Sequence, residues 1–278
     1  MKKYSLSTAL VATISAVALS LAPLAPASAA TSSWGEWTDL SVGAASATNL
    51  TFSGTGMVNA TWSVNGAGAY SIIGVDGGDE YFVAGTPIGE VFGANGPTGT
   101  SNYLRAESED DLVTPVIITV TFESAVAAGL LGFAVSDLDS DHVTVTATDG
   151  SGTALTGTEI VGTATDSAFN FCDYPDSPCT DTAVPAITEN ANDVLATGVD
   201  TNTDGSTAWF RPSVAVKTVT FTYLNDDEGN SSSSRYWFAQ TAAPLPDTGL
   251  SGSSMMALFA VGAALLAAGG LLIARRRS

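Results

Sequence analysis

Basic side chains are scarce in this chain. Its 278 residues hold nine Lys and Arg against 28 Asp and Glu, with one His. Five of the nine bases lie at the extreme ends, as Lys2, Lys3, Arg275, Arg276 and Arg277. Between residues 30 and 248, Arg105, Arg211, Lys217 and Arg235 face every acid, four against 28, a net charge of −24. Such a balance argues against nucleic acid or an anionic lipid surface as a partner. A single imidazole, His142, offers no His cluster for a transition metal. There is no Gly-x-Ser-x-Gly elbow, and two cysteines leave little room for a reactive thiol, so nucleophilic catalysis has no visible machinery. An acid-rich chain always offers carboxylate pairs, so a glycosidase pair cannot be picked out by eye. We expect no enzyme.

Helical periodicity is also missing. No stretch between Thr31 and Ala243 repeats apolar residues every 3.6 positions between capping signals, and there is no internal repeat. Short Thr-rich alternating runs separated by Gly, Asp and Asn are what is present, and they predict an all-β fold, an antiparallel β-sandwich. Asn49–Ser53 and Met57–Val64 read as a hairpin about Gly-Thr-Gly, followed by a strand over Ala69–Val75. Gly85–Asn102 reads as a long loop with one short strand around Gly89–Phe92. Pro115–Ser124 alternates most clearly, with Val116, Ile118, Val120 and Phe122 on one face. Leu130–Val135 and the run holding Val143, Val145 and Ala147 read as a hairpin with the acidic tip Asp137-Leu138-Asp139-Ser140-Asp141. Thr153–Thr163 suggests one or two more strands, and Asp166–Asp193 an irregular segment. Ser206–Phe210, Val216–Leu224 and Arg235–Thr241 close the pattern. Trp34 and Trp37 are expected to plug an end of the core rather than bind sugar. One domain of about 210 residues is the expectation, with a division near Asn95–Ser108 as the alternative.

Both ends of the chain carry export signals. Lys2-Lys3, the apolar Leu10–Leu21 and Ala27-Ser28-Ala29 make a signal peptide over 1–29, with cleavage after Ala29 or Ala30 fitting equally. Met255–Ala274 holds no charge, and twenty residues at about 1.5 Å each span a bilayer core as a helix. Arg275–Arg277 then keep a basic tail, 275–278, in the cytoplasm. The ectodomain is therefore expected over 30–241, joined through a tether at 242–254 to a transmembrane helix at 255–274.

Inside the tether stand Leu245, Pro246, Asp247, Thr248 and Gly249. With the apolar run and basic tail behind them, they resemble the LPXTG sorting signal of Gram-positive surface proteins. The resemblance covers Leu245–Ser278. It implies that sortase cleaves between Thr248 and Gly249 and joins the Thr248 carboxyl to peptidoglycan, leaving a secreted, cell-wall-anchored product. A plain membrane-held protein is the alternative. The ectodomain is expected to be an adhesin or ligand-binding module for a host protein or glycan, and the resemblance, which implies the anchoring, does not identify that ligand. A coat or stalk component is the second reading and a glycan-active enzyme the third.

Three features could build local sites. Cys172 and Cys179, outside the cell, should form a disulfide closing a small loop. Asp200-Thr201-Asn202-Thr203-Asp204-Gly205 matches the first half of a calcium loop, with Asp200, Asn202 and Asp204 as ligands, although position twelve is Arg211 rather than Glu. Asp137, Asp139 and Asp141 are like charges on one loop that Ca²⁺ would relieve, and the two loops could serve one site.

Overall fold

The computed structural model describes residues 31–38, 48–65, 70–78, 82–95, 101–108, 114–177, 179–199, 203–225 and 232–243. The expected signal peptide, sorting motif and apolar C-terminal run lie outside the described residues. Among the described residues, no helix is long and apolar enough to cross a membrane.

In chain order the elements are β1 (Ser32–Trp34), β2 (Glu36–Trp37), β3 (Thr48–Thr51), β4 (Ala60–Asn65), β5 (Tyr70–Gly78), α1 (Pro87–Phe92), β6 (Ser101–Ser108), β7 (Val116–Val126) and β8 (Leu131–Ser136). Then come β9 (Asp141–Thr148), α2 (Gly157–Val161), β10 (Ala168–Asn170), a single 3-10 turn at Phe171–Asp173, β11 (Ala186–Glu189), β12 (Val194–Thr197), β13 (Ser206–Phe210), β14 (Val216–Asn225) and β15 (Ser233–Thr241). Among the described residues, all pairings between these strands are antiparallel, and a lone parallel bridge joins Gly162 to Arg211. One sheet runs β10-β13-β8-β15-β6-β5, with β1 also on β15, and the other runs β11-β12-β9-β14-β7-β4-β3-β2. The fold is a β-sandwich, and strands before and after residues 95–108 join the same two sheets.

Alternation builds the core between the sheets. Val116, Ile118, Val120 and Phe122 of β7 and Val219, Phe221 and Tyr223 of β14 turn inward and are fully buried. They meet Phe133 of β8 and Tyr236 and Phe238 of β15, with Phe221 edge-on to Phe133 at 5.8 Å and to Phe238 at 5.9 Å. Trp37 is buried against Trp62 at 5.5 Å and Phe238 at 5.7 Å, as a core plug. Gln240, itself buried, grips Val58 like a strand partner, accepting from its N–H at 3.0 Å and donating to its carbonyl at 2.7 Å.

The first sheet is buried on its outer face as well. Trp209, Trp237, Tyr103 and Ala134 pack there under Phe82, Ile88 and Phe92 on one side and Phe169 and Phe171 on the other. Gly132 has no side chain because a Cβ would strike the Phe92 ring. This double cover explains why all six residues of β8 are buried.

Five expectations are corrected. Gly89–Phe92 belongs to the helix α1, capped by Thr86, whose Oγ1 accepts from Gly89 N–H at 3.1 Å, with Pro at the first turn. Thr153–Thr163 holds the helix α2, opened by a reciprocal capping box between Thr156 and Glu159. β8 and β9 are not a hairpin: β8 lies between β13 and β15, β9 between β12 and β14, and the acidic tip carries the chain from one sheet to the other. The loop read over Gly85–Asn102 runs into the strand β6, Ser101–Ser108, which was not expected, and the irregular 166–193 segment includes β10 and β11.

Phe221 sits where both sheets' rings meet, so Phe221→Ala should lower unfolding free energy by about 3–5 kcal/mol. Thr222→Ala, on the outer face, should cost about 0.5 kcal/mol or less. Urea titration of the purified chain measures both.

Candidate functional site

The strand registers send one group of connections to a common end. Ser136 of β8 stands opposite Thr207 and Arg235, and Asp141 of β9 opposite Asn225. His142 faces Thr197 of β12, and Glu107 of β6 faces Ser233. The crossing at 137–140, the β12–β13 connection and the starts of β13 and β15 therefore meet there. The first and last described strands meet at the opposite pole, where Ser32 pairs with Thr241 and Ala242 N–H donates to Thr31 O at 2.8 Å.

At this loop end the three aspartates take separate directions. Asp137 adopts a left-handed φ of 62°, which turns the chain out of β8. Its Oδ2 takes Arg235 Nη1 at 2.8 Å and Ser233 Oγ at 2.6 Å. Arg235 stands opposite Arg105 across the β15–β6 pair, and Arg105 has its own carboxylate, Glu107, at 2.8 Å. Asp139 Oδ1 accepts from Thr203 N–H at 2.7 Å. Asp141 turns into the interior, where its Oδ1 accepts from Asp139 N–H at 2.7 Å. The structure thus brings the Asp137–Asp141 loop to the residue beside Asp204. Asp200 and Asn202 lie outside the described residues.

Burial governs the charge states here. Desolvation raises the Asp139 carboxyl above its ordinary value, against the Thr203 N–H and Arg235. Asp141, 1% exposed, is pushed up to about 8, first by burial and further by the charges of Asp139 and Asp137. The Tyr223 hydroxyl lies alongside and favours its ionised form, but is itself bonded to Ser232 Oγ. Asp141 Oδ2 has no hydrogen-bond partner of acceptable geometry among the described residues.

The disulfide joins Cys172 to Cys179 with a Cα separation of 4.9 Å. Asn170 locks the loop it closes. Its Oδ1 accepts from Cys172 N–H at 2.8 Å, and its Nδ2 donates to Ala183 O at 2.7 Å and to Asp181. Asp181 Oδ2 in turn accepts from Asp204 N–H at 2.9 Å and Gly205 N–H at 3.2 Å. Three successive N–H groups, 203 to 205, therefore point at carboxylates of neighbouring segments. Gly205 has no positive φ; it is glycine because a Cβ would strike Asn170 Oδ1 and Cys172 Sγ.

Among the described residues, Cys172, Cys179 and Asp181 bring three metal-ligating side chains within 4.8 Å, whereas Asp137, Asp139 and Asp141 do not converge as a set. The two sulfurs are covalently joined and offer no thiolate, so the first group is a staple. Sequence reasoning missed Asp181, Thr203, Ser206, Tyr223 and Arg235 at this end. Of these, Asp181 alone had a visible cue, two residues beyond Cys179.

All five tryptophans are engaged in packing. Four are buried, and Trp34 stacks on Phe82 at 5.7 Å while its Nε1 donates to Gly93 O at 3.0 Å.

No family model matches the chain, and no curated protein matches it. Among solved structures it is similar to the enzymatically active domain of bacteriophage CBA120 tailspike protein 4, at 9% identity and a TM-score of 0.30. The match covers 66% of this chain, which spans 19% of the length of that structure. A likeness of this size carries no argument about activity.

The raised Asp141 carboxyl has a defined signature. The folded state holds a proton between the ordinary carboxylate value and about 8 that the unfolded chain has already lost, so stability falls as pH rises through that window. In chelator, the melting temperature of the full chain should drop between pH 5 and pH 8, and the drop should be smaller in Asp141→Asn. Equal slopes would show that Asp141 is not held protonated.

Proposed function

We propose that this chain is an exported surface protein that sortase joins to peptidoglycan through Thr248, displaying the sandwich with its acidic loop end away from the wall. The observation that carries the reading is the order of Leu245-Pro-Asp-Thr-Gly249, the uncharged run Met255–Ala274 and Arg275–Arg277. The folded residues are compatible with such processing. β1 starts at Ser32, just after the expected signal cleavage, and β15 ends at Thr241, before the pentapeptide. The described core would survive both cuts intact. A disulfide also suits an oxidising compartment.

The geometry supports a direction of display. β15 runs nine residues from Arg235's neighbour Ser233 to Thr241, roughly 30 Å at strand rise. An anchor leaving beyond Thr241 would hold the Asp137–Asp141 end about that far from the attachment pole. We assign the recognition surface of an adhesin or ligand-binding module to that end. A coat component without a ligand is the second reading, favoured by the engagement of all five tryptophans in packing.

Thr248→Ala should abolish covalent attachment: the variant should leave cell walls on boiling in detergent, while the unaltered chain is freed by muramidase alone. Retention of the variant in boiled walls would refute sortase joining. Binding to host matrix proteins or arrayed glycans separates the module from the coat.

A further inference from the structure

At the loop end, buried oxygen atoms from several segments have no hydrogen bond of good geometry to the described residues. Among the described residues, Ser136 Oγ, Ser206 Oγ, Thr203 Oγ1 and Asp141 Oδ2 are buried with no hydrogen bond of good geometry, the Thr203 side chain lying against the Asp139 carboxylate and the Tyr223 hydroxyl against that of Asp141. All four belong to segments meeting at this end: the close of β8, the start of β9, the connection before β13 and its first residue. Buried polar atoms are rarely left unpaired, because each orphan forfeits its hydration. Register gives them direction. Val135 and Ala208 pair on the core face, so Ser136 points to the outer face and Ser206, two before Ala208, toward the inter-sheet space. Asp141, two before the core residue Val143, points into the same space.

We propose that Asp139, Asp141 and Thr203 bind one divalent cation of calcium's size at this end of the sandwich, with Ser206 as a further neutral oxygen donor. The donors are all hard oxygens, two carboxylates and hydroxyls, which is the ligand chemistry of Ca²⁺ rather than of a thiolate- or imidazole-seeking metal. Asp137 is not a ligand. Its carboxylate is neutralised by Arg235 and bonded by Ser233. Asp139 meets Thr203 twice, through the N–H on Oδ1 and through the side chain, which holds the Thr203 hydroxyl beside this carboxylate. Asp141 Oδ1 is fixed by Asp139 N–H, leaving Oδ2 as the coordinating atom. The two carboxylates repel each other when both are ionised, and the cation would remove that repulsion and the cost of burying Asp141 together. Two carboxylates place the affinity with extracellular calcium modules, about 0.1–1 mM. The site stands independently of how the chain is attached to the cell.

The test is calcium-dependent melting of the purified full chain, with magnesium and added sodium chloride as controls. Free calcium at about 100 times Kd should raise the folded-to-unfolded ratio about 100-fold, and magnesium far less because it demands tighter octahedral geometry and dehydrates reluctantly. The calcium-specific rise should vanish in Asp141→Asn and Asp139→Asn, weaken in Thr203→Val, and persist in Glu123→Gln on the outer face of β7. If Asp141→Asn fails to fold, Asp139→Asn and Thr203→Val decide. As a second measurement, terbium luminescence excited through Tyr223 should titrate to one ion per chain and be displaced by calcium. No calcium response, equal shifts with magnesium, or an unchanged response in Asp139→Asn would overturn the site and leave Asp141 as a buried protonated acid.

Discussion

Phe238 is the side chain on which both sheets converge. Its ring meets Phe133 of the same sheet at 5.5 Å, Phe122 and Phe221 of the facing sheet at 6.0 and 5.9 Å, and Trp37 at 5.7 Å. Trp237, one residue earlier, points the other way and meets Phe82 and Tyr103, each at 5.0 Å. A one-residue slip of β15 would exchange these two rings between cores of different shape, so the register of the strand is fixed twice over. That register sets everything at its ends. It places Arg235 beside Asp137 at one pole and Thr241 beside Ser32 at the other.

Sequence pattern revealed the fold where a strand has one wet face. β7 and β14 alternate cleanly because Thr faces outward, and both were legible almost to the residue. β8 and β13 are buried on both faces, and β15 over most of its length, so their patterns carry no direction and none announces which strands they join. The β8–β9 connection was misread for that reason: proximity in sequence suggested a hairpin, whereas the chain changes sheets through the left-handed Asp137. β6 was hidden by Arg105 and Glu107, which pair with each other rather than marking a loop. The two helices are too short to show a period. Their evidence lay in the caps, Thr86-Pro87 and Thr156 with Glu159, which a search for periodicity passes over.

The loop end was legible in part. The acidic spacing of 137, 139 and 141 and the Asp204-Gly205 pair were visible as unusual, and the two segments do meet, through Thr203. Their division of labour was not visible. Whether an aspartate serves an arginine, a backbone N–H or the interior depends on strands distant in sequence. Asp181 shows the same limit, since its partners at 204 and 205 reach it only through the Cys172–Cys179 loop and Asn170.

The position of β15 bears on how the domain would carry tension. For a chain held through residues beyond Thr241, a pull enters along the axis of an interior strand, bonded to β8 on one side and to β6 and β1 on the other. The ladder bonds lie across that axis, so they are loaded together in shear instead of opening one at a time from an edge. Three residues, Ser32 to Trp34, extend this clamp to the very point where the pull arrives. A three-residue strand thus acts as a mechanical lock on a nine-residue lever.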